Sequence, residues 1–175
     1  MKDMENIRIF LAGPPFSGKT STGSRLAAIL RVPFLDLDGL IETKASRDIP
    51  GIFASLGEDG FRDLESLVLR ESITGNASSV TALGGGCLLR ERNLRLVTGS
   101  GRLVALTASM DTLLRRRALQ SRGRPLVSTE EDLRRLMMER KAHYDSLPAA
   151  VDTSRLSPDQ AARAVMLRLG YDPPD

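Results

Sequence analysis

The feature that most constrains this chain is a junction near its N-terminus. A mostly apolar, β-branched run, Ile7–Ala12, passes directly into Gly13-Pro-Pro-Phe-Ser-Gly18-Lys19-Thr20. Behind it, Lys19–Leu30 carries Leu26, Ile29 and Leu30 at helical spacing. The junction fits G-x4-G-K-[ST] in the strand–loop–helix setting that gives the motif its physical meaning. Successive backbone N–H groups and a helix N-terminus make a cradle for an anion. In such a loop Phe16, Ser17, Gly18, Lys19, Thr20 and Ser21 would surround nucleotide phosphates, with Lys19 on the β- and γ-phosphates and the Thr20 hydroxyl on Mg²⁺. Phe16 stands where many such loops have another glycine, so its side chain must be kept out of the cradle.

The rest of the chain repeats that alternation. Strands are predicted at Phe34–Leu37, Val80–Leu83, Leu103–Leu106 and Ala150–Val151. Helices are predicted over Glu58–Thr74, with Gly75 as a stop, and from a Ser109 cap to about Gln120. A Ser128/Glu131 capping box opens another helix toward Leu147. The last helix begins at Ser157-Pro158 and ends before Gly170. Short apolar strands that do not alternate cleanly are expected where helices cover both faces. The fold class is therefore α/β, a doubly wound sheet of about five parallel strands. A length of 175 residues makes one domain, with Ser121–Val127 as the expected mobile loop and Asp172–Asp175 as a frayed tail.

Composition removes several classes of function. Aromatics are 4% with no Trp, which argues against base-stacking platforms for single strands. The single cysteine, Cys87, cannot close an internal disulfide, and with only His143 beside it the usual zinc ligands are missing. A net charge of +3 is weak despite a pI of 9.4, and suits a small anion at least as well as nucleic acid. The N-terminus does not read as a signal peptide and no apolar stretch is long enough for a membrane span. The expectation is a cytoplasmic protein with neither nucleic acid nor membrane as partner.

Candidate acceptor residues follow the phosphate loop. Asp36 and Asp38 end the second strand and, at strand period, would share a face at the carboxyl edge of the sheet. They could support a metal and accept a hydroxyl proton, or simply cap the next helix. Arg62 and Glu65 are neighbours on one helix face. They could present a guanidinium to a carboxylate or form an ordinary surface pair. Gly84-Gly85-Gly86 ends the third strand, where it would allow close approach to the backbone or merely turn the chain. The arginines from 115 to 135 read as a solvated helix face plus a phosphate-closing segment. His143 is expected at the surface, Cys87 as a small buried hydrophobe and Met137-Met138 as packing.

Taken in order, these motifs resemble the shikimate kinase family. That family has the phosphate loop, D-x-D, G-E-x-x-F-R-x-x-E, G-G-G, R-P-L and R-x-x-x-Y. Here they are Gly13–Thr20, Asp36/Asp38, Gly57–Glu65, Gly84–Gly86, Arg124-Pro125-Leu126 and Arg140–Tyr144. The ordered set, from residue 13 to 144, is specific although no single later motif is. The resemblance implies a P-loop, nucleoside-monophosphate-kinase-like fold forming one domain over residues 1–175. An acceptor-binding helical segment would lie at about 38–66 and a lid at about 120–128. It implies that ATP phosphorylates the 3-hydroxyl of shikimate, with Mg²⁺ held by Thr20 and supported by Asp36. Asp38 would bind the shikimate hydroxyls and act as base. Arg62 and Arg140 would pair with the carboxylate, beside Gly84, Gly85 and Gly86. Arg124 would close onto the phosphates, and Arg117 and Pro158 would flank adenine. Leu156 departs from the polar or basic residue many relatives place near adenine. The rival readings are a related small-molecule kinase, such as a gluconate kinase, and an ATP-binding regulatory module without chemistry. A monomer is expected.

Overall fold

The computed structural model describes residues 7–75, 77–119, 127, 129–148 and 150–173. Five parallel strands form one sheet: β1 (Arg8–Ala12), β2 (Phe34–Asp36), β3 (Ser79–Ala82), β4 (Arg102–Thr107) and β5 (Val151–Asp152), in the order β2-β3-β1-β4-β5. The chain builds outward from β1 on one side, returns, and continues on the other. The carboxyl ends of β1, β3 and β4 therefore border the point where strand order reverses, which is where open α/β sheets bind ligands.

The alternation of side chains along β1 explains the layers. Ile9 and Leu11 point to one face, where they meet α1 (Lys19–Leu30) and α8 (Pro158–Leu169). Phe10 and Ala12 point to the other. There they meet Leu69 and Ile73 of α3 (Ile49–Gly75), Val97 of α4 (Glu91–Ser100) and Tyr144 of α7 (Lys141–Ser146). Phe10, Leu11, Leu26 and Leu69 are fully buried, each contributing on the order of 1.5–3 kcal/mol of transfer free energy. A third, smaller apolar cluster joins Phe16 to α5 (Met110–Ala118) and α6 (Glu130–Glu139).

The structure departs from several local expectations. The second strand stops at Asp36, and the Leu37 predicted to end it is instead fully buried at the start of helix α2 (Leu37–Ala45). Asp36 and Asp38 therefore do not share a strand face. Asp36 caps α2 by accepting from the N–H groups of Asp38 (3.1 Å) and Gly39 (3.4 Å), and Asp38 lies in the first turn. Helix α3 starts before Glu58 and is broken at Gly57, whose φ of 67° is open to glycine and strained for other residues. The box that opens α6 is Thr129 with Asp132, one residue along from the Ser128/Glu131 reading. That helix ends at Arg140, and a separate α7 follows. The fifth strand is Val151–Asp152 rather than Ala150–Val151. The Ser109 cap, the α8 proline and the Gly170 stop are as expected. Helix α2 is the next helix of the capping alternative for Asp36, while α4 has no counterpart among the expected elements. Met138 is exposed while Met137 packs, and His143 is half-buried against Tyr144.

Candidate active site

The phosphate loop leaves β1 and wraps onto the N-terminus of α1. Lys19 is buried, and its Nζ donates to the carbonyls of Gly13 (2.9 Å) and Pro14 (2.8 Å). The loop is fastened from outside as well. Arg116 Nη1 donates to the Phe16 carbonyl (3.2 Å) and to Thr153 Oγ1 (3.0 Å), and Thr153 Oγ1 donates to the Ser17 carbonyl (2.8 Å). From sequence Arg116 reads only as part of a solvated basic face; no spacing rule reveals a contact across 100 residues of chain. Phe16 keeps its side chain out of the cradle, as required, by burying it in the third cluster.

Beyond the loop lies a cleft of about 550 Å³, within the range of small-ligand sites, bordered by Gly18, Ser21, Arg115, Arg116, Leu156 and Pro158. Arg117 does not border it; its Nε donates to the Val127 carbonyl (3.2 Å). In a smaller pocket that shares Phe16, Gly18 and Ser21 with this cleft, Thr20 Oγ1 donates to Asp36 Oδ2 (2.8 Å). Two hard oxygen donors beside a phosphate cradle fit Mg²⁺, which usually keeps several waters and substrate phosphates in its shell. Thus Asp36 both caps a helix and faces the phosphate loop.

On the other side of Pro15 is a second cavity, bordered by Asp38, Arg62, Glu65, Gly84–Gly86 and Arg140. Its geometry turns on the glycines. A Cβ added to Gly84 would sit 2.6 Å from Glu65 Oε1 and 3.0 Å from Asp38 Oδ1. One added to Gly86 would sit 2.6 Å from Arg62 Nη2 and 3.0 Å from Arg140 Nη1. The missing side chains leave room for two carboxylates at one end and two guanidinium groups at the other. Tyr144 holds the middle of the run, its hydroxyl donating to the Gly85 carbonyl (2.8 Å).

Arg62 and Glu65 are not a surface pair. Arg62 Nη1 donates to Glu65 Oε2 at 2.9 Å, with the side chains 9% and 1% exposed. Exposed pairs such as Arg95–Glu91 contribute about 0–1 kcal/mol, whereas breaking a buried pair costs about 3–5 kcal/mol. Burial works against the Arg62 charge, but Glu65 and then Glu58 more than offset it and hold its pKa above the ordinary value. Glu65 is pushed the other way from a typical paired acid. Burial raises its pKa further than Arg62 lowers it, and Asp38 adds to the rise. Its Oε1 is buried and has no hydrogen-bond partner among the described residues. Folded Glu65 therefore binds its proton more tightly than the unfolded chain does. Its contribution to stability is fully present below the unfolded carboxyl pKa and is lost as pH rises through the folded value. The Tm of the wild type relative to Glu65→Gln should accordingly rise as the pH falls from neutral into the carboxylate range. A difference that stays flat across that range would contradict the assignment.

Asp38, Arg62, Gly84–Gly86 and Arg140 thus meet around one cavity, with Lys19, Thr20 and Asp36 on the neighbouring rim. Arg124 lies outside the described residues, as does the rest of the predicted lid except Val127. Cys87 is buried, its thiol pushed well up by burial and then by Glu65, which keeps it protonated. Burial and then Arg140 lower the pKa of His143, which borders neither cavity.

A phosphate loop at the switch point of a parallel sheet, opening beside a pocket of paired acids and arginines, defines a P-loop phosphotransferase with a small anionic acceptor. A profile of the shikimate kinase family matches residues 15–169, and the chain belongs to that family. It is 42% identical over 151 residues to a shikimate kinase of Thioalkalivibrio sulfidiphilus, covering 84% of this chain and 78% of that one. It is 36% identical over 161 residues to one of Pelotomaculum thermopropionicum, covering 90% and 92%. Among solved structures, shikimate kinase from Acinetobacter baumannii in complex with shikimate superposes with a TM-score of 0.85 at 33% identity, covering 94% of this chain and 93% of that one. Among the described residues no helix is long and apolar enough to cross a membrane.

Proposed function

We propose that this chain transfers the γ-phosphoryl group of ATP to the 3-hydroxyl of shikimate, giving shikimate 3-phosphate and ADP. The observation that carries the reading is the pocket in which Arg62 and Arg140 flank Gly86 while Asp38 and Glu65 flank Gly84, next to the phosphate loop. Shikimate is an anion bearing three hydroxyls, so it needs a cationic clamp at one end and acceptors at the other. Arginine forks match a carboxylate better than lysine does.

In the reaction, the Lys19 ammonium turns from the loop carbonyls to the β- and γ-phosphates. The backbone N–H groups from Phe16 to Ser21 line the cradle and Pro158 flanks the adenine; Arg117, which donates to the Val127 carbonyl, joins it only by leaving that bond. Thr20 and Asp36 would hold Mg²⁺, which when bound supplies positive charge against the phosphate oxygens. Arg62 and Arg140 hold the shikimate carboxylate, and the Gly84–Gly86 backbone supports the ring. Asp38 accepts the proton of the 3-hydroxyl as its oxygen attacks phosphorus and the bond to the β-bridging oxygen breaks. Arg124, in a lid over about 120–128, adds charge to the phosphates and excludes water. Residues 38–66 form the acceptor-binding segment of a single domain. The weak net charge suits a small anion better than nucleic acid, and the chain works as a cytoplasmic monomer without a membrane partner.

The test is ADP release from Mg-ATP with shikimate, gluconate or nucleoside monophosphates as acceptor. Turnover confined to shikimate supports the reading; gluconate turnover, or nucleotide binding without turnover, overturns it. Arg140→Ala should raise the shikimate KM roughly tenfold to 150-fold, the worth of a hydrogen-bonded charge, and change the ATP KM far less. An unchanged shikimate KM would remove Arg140 from the clamp.

A further inference from the structure

We propose that the side chain of Phe16 positions Arg140 for the acceptor, as a strut from the phosphate loop to the helix that ends in that guanidinium. The inference rests on the reading of Arg140 as a carboxylate-binding residue.

Phe16 holds a backbone φ of 65°, a left-handed conformation that glycine takes freely and a bulky residue rarely adopts. The residue is nevertheless only 6% exposed, clustered with Leu113 of α5, Val127, and Leu133 and Leu136 of α6. Arg140 caps α6, and its N–H donates to the Leu136 carbonyl at 3.0 Å, one turn past a leucine of the same cluster. The cluster is also the wall between the two cavities. Phe16 borders the nucleotide cleft, while Val127 and Leu136 border the acceptor pocket.

The cradle has fastenings of its own. Arg116 holds the Phe16 carbonyl, Thr153 holds the Ser17 carbonyl, and Lys19 ties Gly13 and Pro14. Removing the phenyl ring leaves those bonds in place and gives the backbone an easier φ. What it removes is the loop's grip on α6. A displacement of a binding group by about an ångström is enough to cost a large factor in function.

The experiment compares Phe16→Gly, Phe16→Leu, Arg140→Ala and the Phe16→Gly/Arg140→Ala double variant, with KM for shikimate and ATP and the calorimetric Kd of ADP. Phe16→Gly should raise the shikimate KM about tenfold, equivalent to about 1.4 kcal/mol. The ADP Kd should move no more than about threefold. Phe16→Leu, which refills the cluster, should recover most of the loss. In the Arg140→Ala background Phe16→Gly should add little, because the strut then has nothing to position. Leu133→Ala, which loosens the same seam from the helix side, should show the same split and serves if Phe16→Gly does not fold. The inference is overturned if the shikimate KM is unchanged in Phe16→Gly and Leu133→Ala, if nucleotide affinity falls as far, or if the losses simply add. If Arg140→Ala itself leaves the shikimate KM unchanged, it is the underlying reading of the clamp that has failed.

Discussion

Asp38→Asn should lower kcat by about 10²- to 10⁴-fold, the range that a positioned general base contributes. The ADP Kd should stay within about twofold of wild type. Asparagine keeps the size of the side chain in the first turn of α2, and the helix cap is made by Asp36, so α2 should fold as before. The amide can still accept a hydrogen bond from a hydroxyl, so shikimate binding should weaken only modestly. What it lacks is the capacity to take the hydroxyl proton. A variant with kcat within about threefold of wild type would take the base role away from Asp38. Glu65 would be the next carboxylate to test, since its Oε1 converges with Asp38 on Gly84.

Lys19→Met should lower kcat/KM for ATP by about 10²- to 10³-fold, as loss of a charge aimed at the transferring group does elsewhere. Methionine fills the space of the buried stem, so the loss falls mainly on the ammonium. That ammonium also donates to two loop carbonyls. Leaving these unpaired costs on the order of 1–3 kcal/mol, which should appear as a lower Tm. The two contributions separate by ligand. If Lys19 meets the β- and γ-phosphates, the variant should weaken ATP binding far more than AMP binding. Equal weakening of both would mean that the lysine serves the loop's shape rather than the triphosphate.

The parts of the site that could be read from sequence are those whose chemistry is local. The Gly13–Thr20 loop announces itself because a cradle of backbone N–H groups needs glycine at fixed spacing between a strand and a helix. The Ser109 cap and the Ser157-Pro158 start of α8 are equally local, since each satisfies N–H groups within three residues. Sequence and structure part where two local signals compete. Leu-Asp-Leu-Asp alternates like a strand, yet Asp36 caps a helix, and the burial of Leu37 and Ile41 beneath α2 outweighs one more strand residue. Ser128/Glu131 and Thr129/Asp132 have the same spacing, so spacing alone does not choose between them; the helix takes the second, with Leu133 and Leu136 buried in the third cluster.

By itself the sequence determined the layered α/β class and the phosphate loop, because strand and helix periods and backbone anion binding act over a few residues; the pocket's acids and arginines follow from it only through the resemblance to the family. Tertiary structure decided everything that depends on distance across the chain. It turned Arg62–Glu65 from one of many surface pairs into a buried one, since the cost of desolvation is set by what packs above it. It filled the space over Gly84 and Gly86 with the pocket's own side chains, and it tied Phe16 to α6 and Arg116 to the phosphate loop. Such contacts follow from the order in which the strands assemble, and that order leaves no periodic trace in the residues themselves.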